Sequence, residues 1–128
     1  FIMGDIKKGM FVTVFYTILN SRNRSLTYAS AGHNPMILYR PNTNKTYYLN
    51  PRGFPVGISL NDDELFDKSL EDDSIRLAKG DIVIIYTDGV TEAMNSRREL
   101  FGEERLLEAV RRYGELSAED FVDKLREE

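Results

Sequence analysis

The chain has no cysteine, no tryptophan and a single histidine among its 128 residues. Without cysteine there are no disulfides, no thiolate nucleophile and no Cys-based zinc site. One imidazole, His33, builds neither a histidine metal cluster nor a mechanism that pairs two histidines. No apolar run approaches the ~20 residues that a membrane-spanning helix needs, and nothing at the amino end resembles a secretory signal. Positive charge is also in short supply. Seventeen Lys and Arg against 21 Asp and Glu leave a net charge of -4, which argues against the basic footprint of a nucleic-acid-binding domain. With hydrophobic content of 41% and charged content of 30%, the expectation is one ordinary soluble domain, cytoplasmic by default. Its size is small for an enzyme that needs several converging catalytic segments, so it also reads as a piece of a larger domain.

What is present is organised as strands first and helices last. Residues 11–19 are β-branched and aromatic and end at the polar turn 20–24, before a second strand at 25–31, which reads as a β-hairpin. Residues 36–40 pair with 45–49 across the turn Pro41-Asn42-Thr43-Asn44, so the first half is expected to form an antiparallel meander. A Gly- and Pro-bearing loop at 51–57 precedes an acidic, exposed stretch at 62–73. An edge strand at 74–77 and a turn at 78–81 follow. The most apolar run, Ile82-Val83-Ile84-Ile85-Tyr86, is expected to be a buried central strand. Beyond it the period becomes helical. Phe101, Leu106, Leu107 and Val110 share a face and Gly114 closes that helix, while Ser117 and Asp120 form a capping box for a second helix with Phe121, Val122 and Leu125 as its buried stripe.

The segment Tyr86-Thr87-Asp88-Gly89 carries the chemistry that can be read from residue type. A carboxylate at the end of a strand is held rigidly yet faces the rim of the sheet, where a hard, oxygen-preferring cation such as Mg2+ or Mn2+ can reach it. Two structural roles compete with this. Asp88 can cap a short helix over 90–94, and Asp-Gly is also a hairpin-turn pair. His33, between Gly32 and Asn34-Pro35, either orders a strand-to-strand turn or faces a ligand. Ser30, Thr87 and Thr91 lack a nucleophile-elbow context, no Walker loop is present, and residues 62–73 lack the alternating ligands and central glycine of an EF-hand. Arg97-Arg98 and Arg111-Arg112 read as solvated charges.

Taken in order, five segments resemble the SpoIIE/RsbU branch of the metal-dependent PPM-type serine/threonine phosphatases. They are Gly9-Met10-Phe11-Val12-Thr13, Leu26 to Pro35 with its Ala31-Gly32-His33-Asn34-Pro35, Gly53-Phe54-Pro55-Val56-Gly57, Lys79 to Ala93 with Tyr86-Thr87-Asp88-Gly89-Val90-Thr91-Glu92-Ala93, and Leu100 to Leu106. The resemblance covers nearly the whole chain. It implies an α+β fold, an antiparallel β-sandwich flanked by helices, here truncated. It implies hydrolysis of phosphoserine or phosphothreonine by a water activated between two Mn2+ or Mg2+ ions, with no covalent intermediate on the protein.

By the same resemblance, Asp88 matches a metal-binding aspartate, Gly89 belongs to its turn, and His33 and Asn34 lie where other PPM phosphatases place an aspartate for an additional ion. The family's remaining metal-binding aspartates would fall before Gly9 and beyond the second helix. Residues 1–128 are therefore expected to be a partial phosphatase domain with little activity alone. The implied partner is a phosphorylated protein, such as an anti-sigma-factor antagonist in a signalling pathway. Exposed sheet edges add an expectation of self-association. The competing reading is a noncatalytic or degenerate interaction module. HAD-type phosphotransferases also place Asp-Gly after an apolar strand, but their nucleophile would fall at Tyr86.

Overall fold

The computed structural model describes residues 10–57 and 69–128, which divide into two compact units. Most of the acidic stretch expected at 62–73 lies outside the described residues, and its described acidic residues, Glu71, Asp72 and Asp73, are exposed as expected.

The first unit, Phe1–Asn34 with Asn50–Leu77, holds a three-stranded antiparallel sheet in the order β1-β2-β5. Strand β1 (Val14–Asn20) pairs with β2 (Ser25–Ala31) from Val14 opposite Ala31 to Asn20 opposite Ser25. The turn between them is built by asparagines. Asn20 Oδ1 accepts from the amides of Arg22 and Asn23, Asn23 Oδ1 accepts from the Ser25 amide, and Arg24 takes a left-handed φ of +56°. Strand β5 (Asp72–Arg76) occupies the far edge, slightly ahead of the expected 74–77.

Period-2 alternation sends Leu26, Tyr28 and Ser30 of β2 inward, and the Tyr28 hydroxyl donates to Asp73 across the β2–β5 pair. Strand β1 is shorter than expected. Its upstream residue Val12 leaves the ladder and instead exchanges two backbone hydrogen bonds of 2.8 Å with Val56.

The second unit, Pro35–Leu49 with Ala78–Glu128, holds a second antiparallel sheet in the order β4-β3-β6. Strand β3 (Met36–Arg40) and β4 (Lys45–Leu49) pair in the expected register, joined by a single 3-10 turn over Pro41–Thr43 with Asn44 left-handed at φ +50°. The expected continuous meander is therefore wrong, because β2 and β3 belong to different sheets. The chain leaves the first sheet at Gly32, whose φ of +68° and close approach to the Pro55 ring admit no side chain.

The expected central strand is also wrong. Strand β6 (Ile82–Ile84) is three residues long, pairs with β3 alone among the described strands, and is half-buried, while Ile85 is exposed. The central position belongs to β3, whose Met36, Ile37, Leu38 and Tyr39 are all buried. The apolarity of residues 82–86 serves the helices instead. Ile82, Ile84 and Tyr86 meet a cluster formed by Ile37, Tyr39, Leu106, Val110 and Phe121.

Three helices complete this unit: α1 (Asp88–Thr91), α2 (Gly102–Tyr113) and α3 (Ala118–Glu127). Helix α2 buries Leu106, Ala109 and Val110, a spacing that keeps one face apolar. Gly114 stands at its C-cap as expected, but with φ -66° rather than a left-handed angle. A glycine is required there for space, since a Cβ would collide with the Val110 carbonyl oxygen and come within 2.7 Å of the Tyr39 ring. Helix α3 starts with the expected cap, the Asp120 amide donating to Ser117 Oγ at 3.1 Å. Of its expected stripe, Phe121 is buried and Leu125 half-buried, whereas Val122 is 45% exposed. Val122 borders two open cavities rather than the core. Among the described residues no helix is long and apolar enough to cross a membrane.

Candidate metal-binding site

Strand β6 ends at Ile84, and the chain continues extended through Thr87 (φ -115°, ψ 167°) into α1. Thr87, not Asp88, is the N-cap of this helix, and the Thr87 side chain makes no capping hydrogen bond. Asp88 is its first residue and is exposed. Asp88 is therefore not the N-cap residue, and the Asp-Gly pair opens a helix rather than a hairpin. The turn is closed by the backbone, with Val90 N–H donating to Thr87 O at 2.9 Å and Glu92 N–H to Asp88 O at 2.7 Å. Gly89 is helical, and a Cβ there would meet only Thr87 Oγ1 at 3.5 Å. The glycine leaves the surface beside the carboxylate bare.

Asp88 is presented by residues anchored on either side of it. Tyr86 is buried and its hydroxyl donates to Glu103 Oε1 in the first turn of α2 at 3.3 Å. Burial first, and then the nearby Glu103 carboxylate, push the Tyr86 phenol up to about 12. Val90, two residues beyond Asp88, packs against the same apolar cluster. The segment then folds back on itself: Phe101 N–H donates to Ala93 O at 2.7 Å, and Asn95 Oδ1 accepts from the amides of Arg97 and Glu99. A cavity of about 470 Å3 is lined by Val90, Met94, Phe101, Arg105 and Leu125 among others, but Asp88 does not line it. Its walls are mainly apolar, with Asn95, Glu99 and Glu128 among the lining residues.

His33 and Asn34 lie in the first unit, in the connection that follows β2. His33 is half-buried, with Nδ1 3.0 Å from Thr13 Oγ1 and its ring edge-on to Phe15 at 6.2 Å. The Ser30 hydroxyl accepts from the His33 amide at 3.2 Å, so Ser30 is a turn-building residue and not a nucleophile. Gly53 packs directly on the Ser30 carbonyl, where any Cβ would collide. The turn-ordering role of His33 is thus present in the structure. The site residues fall into two adjacent pairs, Asp88 with Gly89 and His33 with Asn34, one pair in each unit.

Among the described residues no group of three or more His, Asp or Glu side chains is placed to hold a metal ion. Asp88 fits such an ion as one oxygen ligand, since Mg2+ commonly takes one or two carboxylates and completes its shell with water. The hydrogen bonds of Tyr86 to Glu103 and of Thr13 to His33 were not read from the sequence. Glu103 stands in the stretch Leu100 to Leu106, which was recognisable as a motif, but its contact with Tyr86 was not.

The family model described as Stage II sporulation protein E (SpoIIE) matches residues 1–128, the whole chain. The chain belongs to the SpoIIE family. It is 39% identical over 89 residues to phosphoserine phosphatase RsbU of Bacillus subtilis, an alignment covering 69% of this chain and 24% of RsbU. It is 34% identical over 107 residues to protein IcfG of Synechocystis sp., covering 84% of this chain and 16% of IcfG. Among solved structures it is similar to the phosphatase domain of the cell fate determinant SpoIIE from Bacillus subtilis, presoaked with Mn, with a TM-score of 0.55 and 20% identity over 90% of this chain and 46% of that one. A second structure of the same domain gives the same TM-score at 18% identity. At this identity the likeness speaks to fold, and the α+β class with antiparallel sheets and helices is that of the SpoIIE phosphatase domain. The chain spans a quarter or less of the relatives RsbU and IcfG.

Proposed function

We propose that this SpoIIE-family chain is part of a metal-dependent phosphoprotein phosphatase that hydrolyses phosphoserine or phosphothreonine, with Asp88 as a ligand of Mn2+ or Mg2+. The observation that carries this is the exposed Asp88 carboxylate on the first turn of α1, held between the buried Tyr86 and the packed Val90. Similarity to a phosphoserine phosphatase supplies the reaction class. When bound, the metal centre would lower the pKa of a water and neutralise charge on the phosphoryl group. The chain's own contribution is to hold one oxygen ligand rigidly at an exposed turn, with no side chain at Gly89 to crowd it.

The further carboxylates of a two-ion centre would then come from residues other than those described, and residues 1–128 alone would hydrolyse little. His33 and Asn34 are near-site candidates, with His33 oriented by Thr13 and Ser30. The substrate class is a phosphorylated protein, and an anti-sigma-factor antagonist suits the relationship to RsbU.

The test is phosphate release from a phosphoserine peptide by the full-length protein with Mn2+ and after chelation. Activity that requires Mn2+ supports the reading. Persistent absence of metal-dependent hydrolysis would favour a noncatalytic interaction module.

A further inference from the structure

The segment carrying Asp88 is fastened to the entrance of α2 by two kinds of contact. One is backbone: Phe101 N–H to Ala93 O, and the bridge between Met94 and Leu100. The other is a side-chain contact, Tyr86 to Glu103, and it acts on the near side of Asp88, only two residues upstream. Several features aim Glu103 at this task. Gly102 has φ +77° with no atom within 4 Å of a Cβ, so the glycine is there for backbone conformation, turning the chain so that Glu103 enters the first helical turn. The Tyr86 ring is 5% exposed and lies in the apolar cluster with Leu106 and Val110 of the same helix, so its hydroxyl has little freedom to seek water. The Glu103 charge also acts on Tyr48 of β4, with Arg111 of α2 close by.

We propose that Tyr86 and Glu103 are positioning residues that fix the Asp88 turn against the first turn of α2, so that this hydrogen bond sets how well the Asp88 carboxylate is placed to receive a divalent cation. This rests on the metal-ligand reading of Asp88. Neither residue touches the ion. The link runs from the α2 entrance through the Tyr86 hydroxyl to the extended stretch 86–87, and from there to the first residue of α1. Loss of the bond frees the near end of the turn while Val90 and the Ala93–Phe101 contact still hold the far end, so the carboxylate becomes less well placed without the unit unfolding. A ligand displaced by even a fraction of an ångström loses affinity, because coordination is steep in distance and angle.

The test uses the full-length protein and the variants Tyr86→Phe, Glu103→Ala, Glu103→Gln and the double variant Tyr86→Phe/Glu103→Ala, with Mn2+ alone as the probe. Mn2+ binding is read by electron paramagnetic resonance and backbone amide exchange at residues 88–92 is read without metal. Tyr86→Phe and Glu103→Ala should each weaken Mn2+ binding about three- to tenfold, on the order expected for partial loss of a hydrogen bond to a charged group, and should speed exchange at the turn. Glu103→Gln keeps an acceptor oxygen and should stay near the parent in both. The double variant should be no worse than the worse single one, since both remove the same contact. A helix-wide packing defect would instead speed exchange throughout α2 and would not be rescued by glutamine. Unchanged Mn2+ binding in Tyr86→Phe, or fully additive losses in the double variant, would overturn the proposal. Asp88→Asn separates the two claims: if it leaves Mn2+ binding intact, the metal-ligand reading fails, and the exchange data alone then decide whether the Tyr86–Glu103 contact holds the turn.

Discussion

Replacing Arg40 by leucine should destabilise the second unit more than its half-buried position suggests, because of what it leaves behind. The Asp81 side chain is 1% exposed, and its carboxylate accepts from Arg40 Nε at 3.1 and 3.2 Å, from an Arg40 terminal nitrogen at 2.8 Å and from the Ala78 amide at 2.8 Å. Arg40→Leu removes the guanidinium and leaves a buried charge with one amide partner. Breaking a fully buried pair in this way costs about 3–5 kcal/mol, and since the Arg40 side chain is 26% exposed we expect about 2–4 kcal/mol, a large part of a typical domain's stability.

The pH dependence carries a second signature. Burial pushes Asp81 toward neutrality, but the hydrogen bonds from Arg40 and Ala78 and the charge of Arg40 outweigh it and hold the carboxyl below its ordinary range. A folded pKa below the unfolded one contributes stability that is fully present above the unfolded value, about 3.9, and is lost as pH falls through the folded value. In Arg40→Leu the sign reverses, because burial is no longer opposed and protonation relieves the variant. The gap between parent and variant should therefore narrow as pH falls from 7 toward 4. Urea unfolding followed by circular dichroism at several pH values measures both effects. A gap under about 1 kcal/mol at neutral pH, or one that does not change with pH, would refute the reasoning.

Three further outcomes are expected. Leu106→Ala empties a fully buried position among Ile37, Tyr39, Tyr86, Val110 and Phe121 and should cost about 2–5 kcal/mol in denaturant unfolding. Ser117→Ala removes the oxygen that accepts the Asp120 amide and should cost about 1 kcal/mol, with faster amide exchange at the start of α3 and little change in α2. In a phenolate absorbance titration Tyr28 and Tyr86, both pushed up to about 12, should still be largely protonated at about pH 11. Because these folded values lie above the ordinary value near 10, the stability they contribute is present below about pH 10 and is lost as pH rises toward 12.

The parts of this fold that could be read from sequence are those whose determinants are local. The β1–β2 and β3–β4 hairpins follow from Asn20, Asn23 and the Pro41–Asn44 turn, and the start of α3 follows from Ser117 and Asp120, because turn and cap chemistry act within a few residues. What could not be read depends on which distant segments meet. The run 82–86 looks like a central strand by apolarity alone, but its side chains are matched to α2 and α3, and β3 takes the centre. Val122 sits at a helical spacing that predicts burial and instead faces open cavities. Gly114 was placed correctly as the end of α2, but the crowding by the Val110 carbonyl and the Tyr39 ring that demands a glycine there needed the fold.

The candidate site divides in the same way. That Asp88 follows the apolar run 82–86 was legible, whereas the end of β6 at Ile84, the place of Asp88 inside the helix after a Thr87 cap, and the tether from Tyr86 to Glu103 needed the fold. His33 joins the turn through its amide bond to Ser30, while its side-chain partner Thr13, 20 positions upstream, carried no local signal.

The role proposed for Asp88 is that of a metal ligand in a phosphoprotein phosphatase. Its most direct test compares Mn2+-dependent hydrolysis of a phosphoserine peptide by the full-length protein and its Asp88→Asn variant, with folding checked by circular dichroism. Loss of an outer-sphere partner alone costs metal sites about 10–100-fold, so removal of a direct ligand should lower the rate by at least about a hundredfold with the fold intact. Hydrolysis by the folded variant within a few-fold of the parent would contradict the claim.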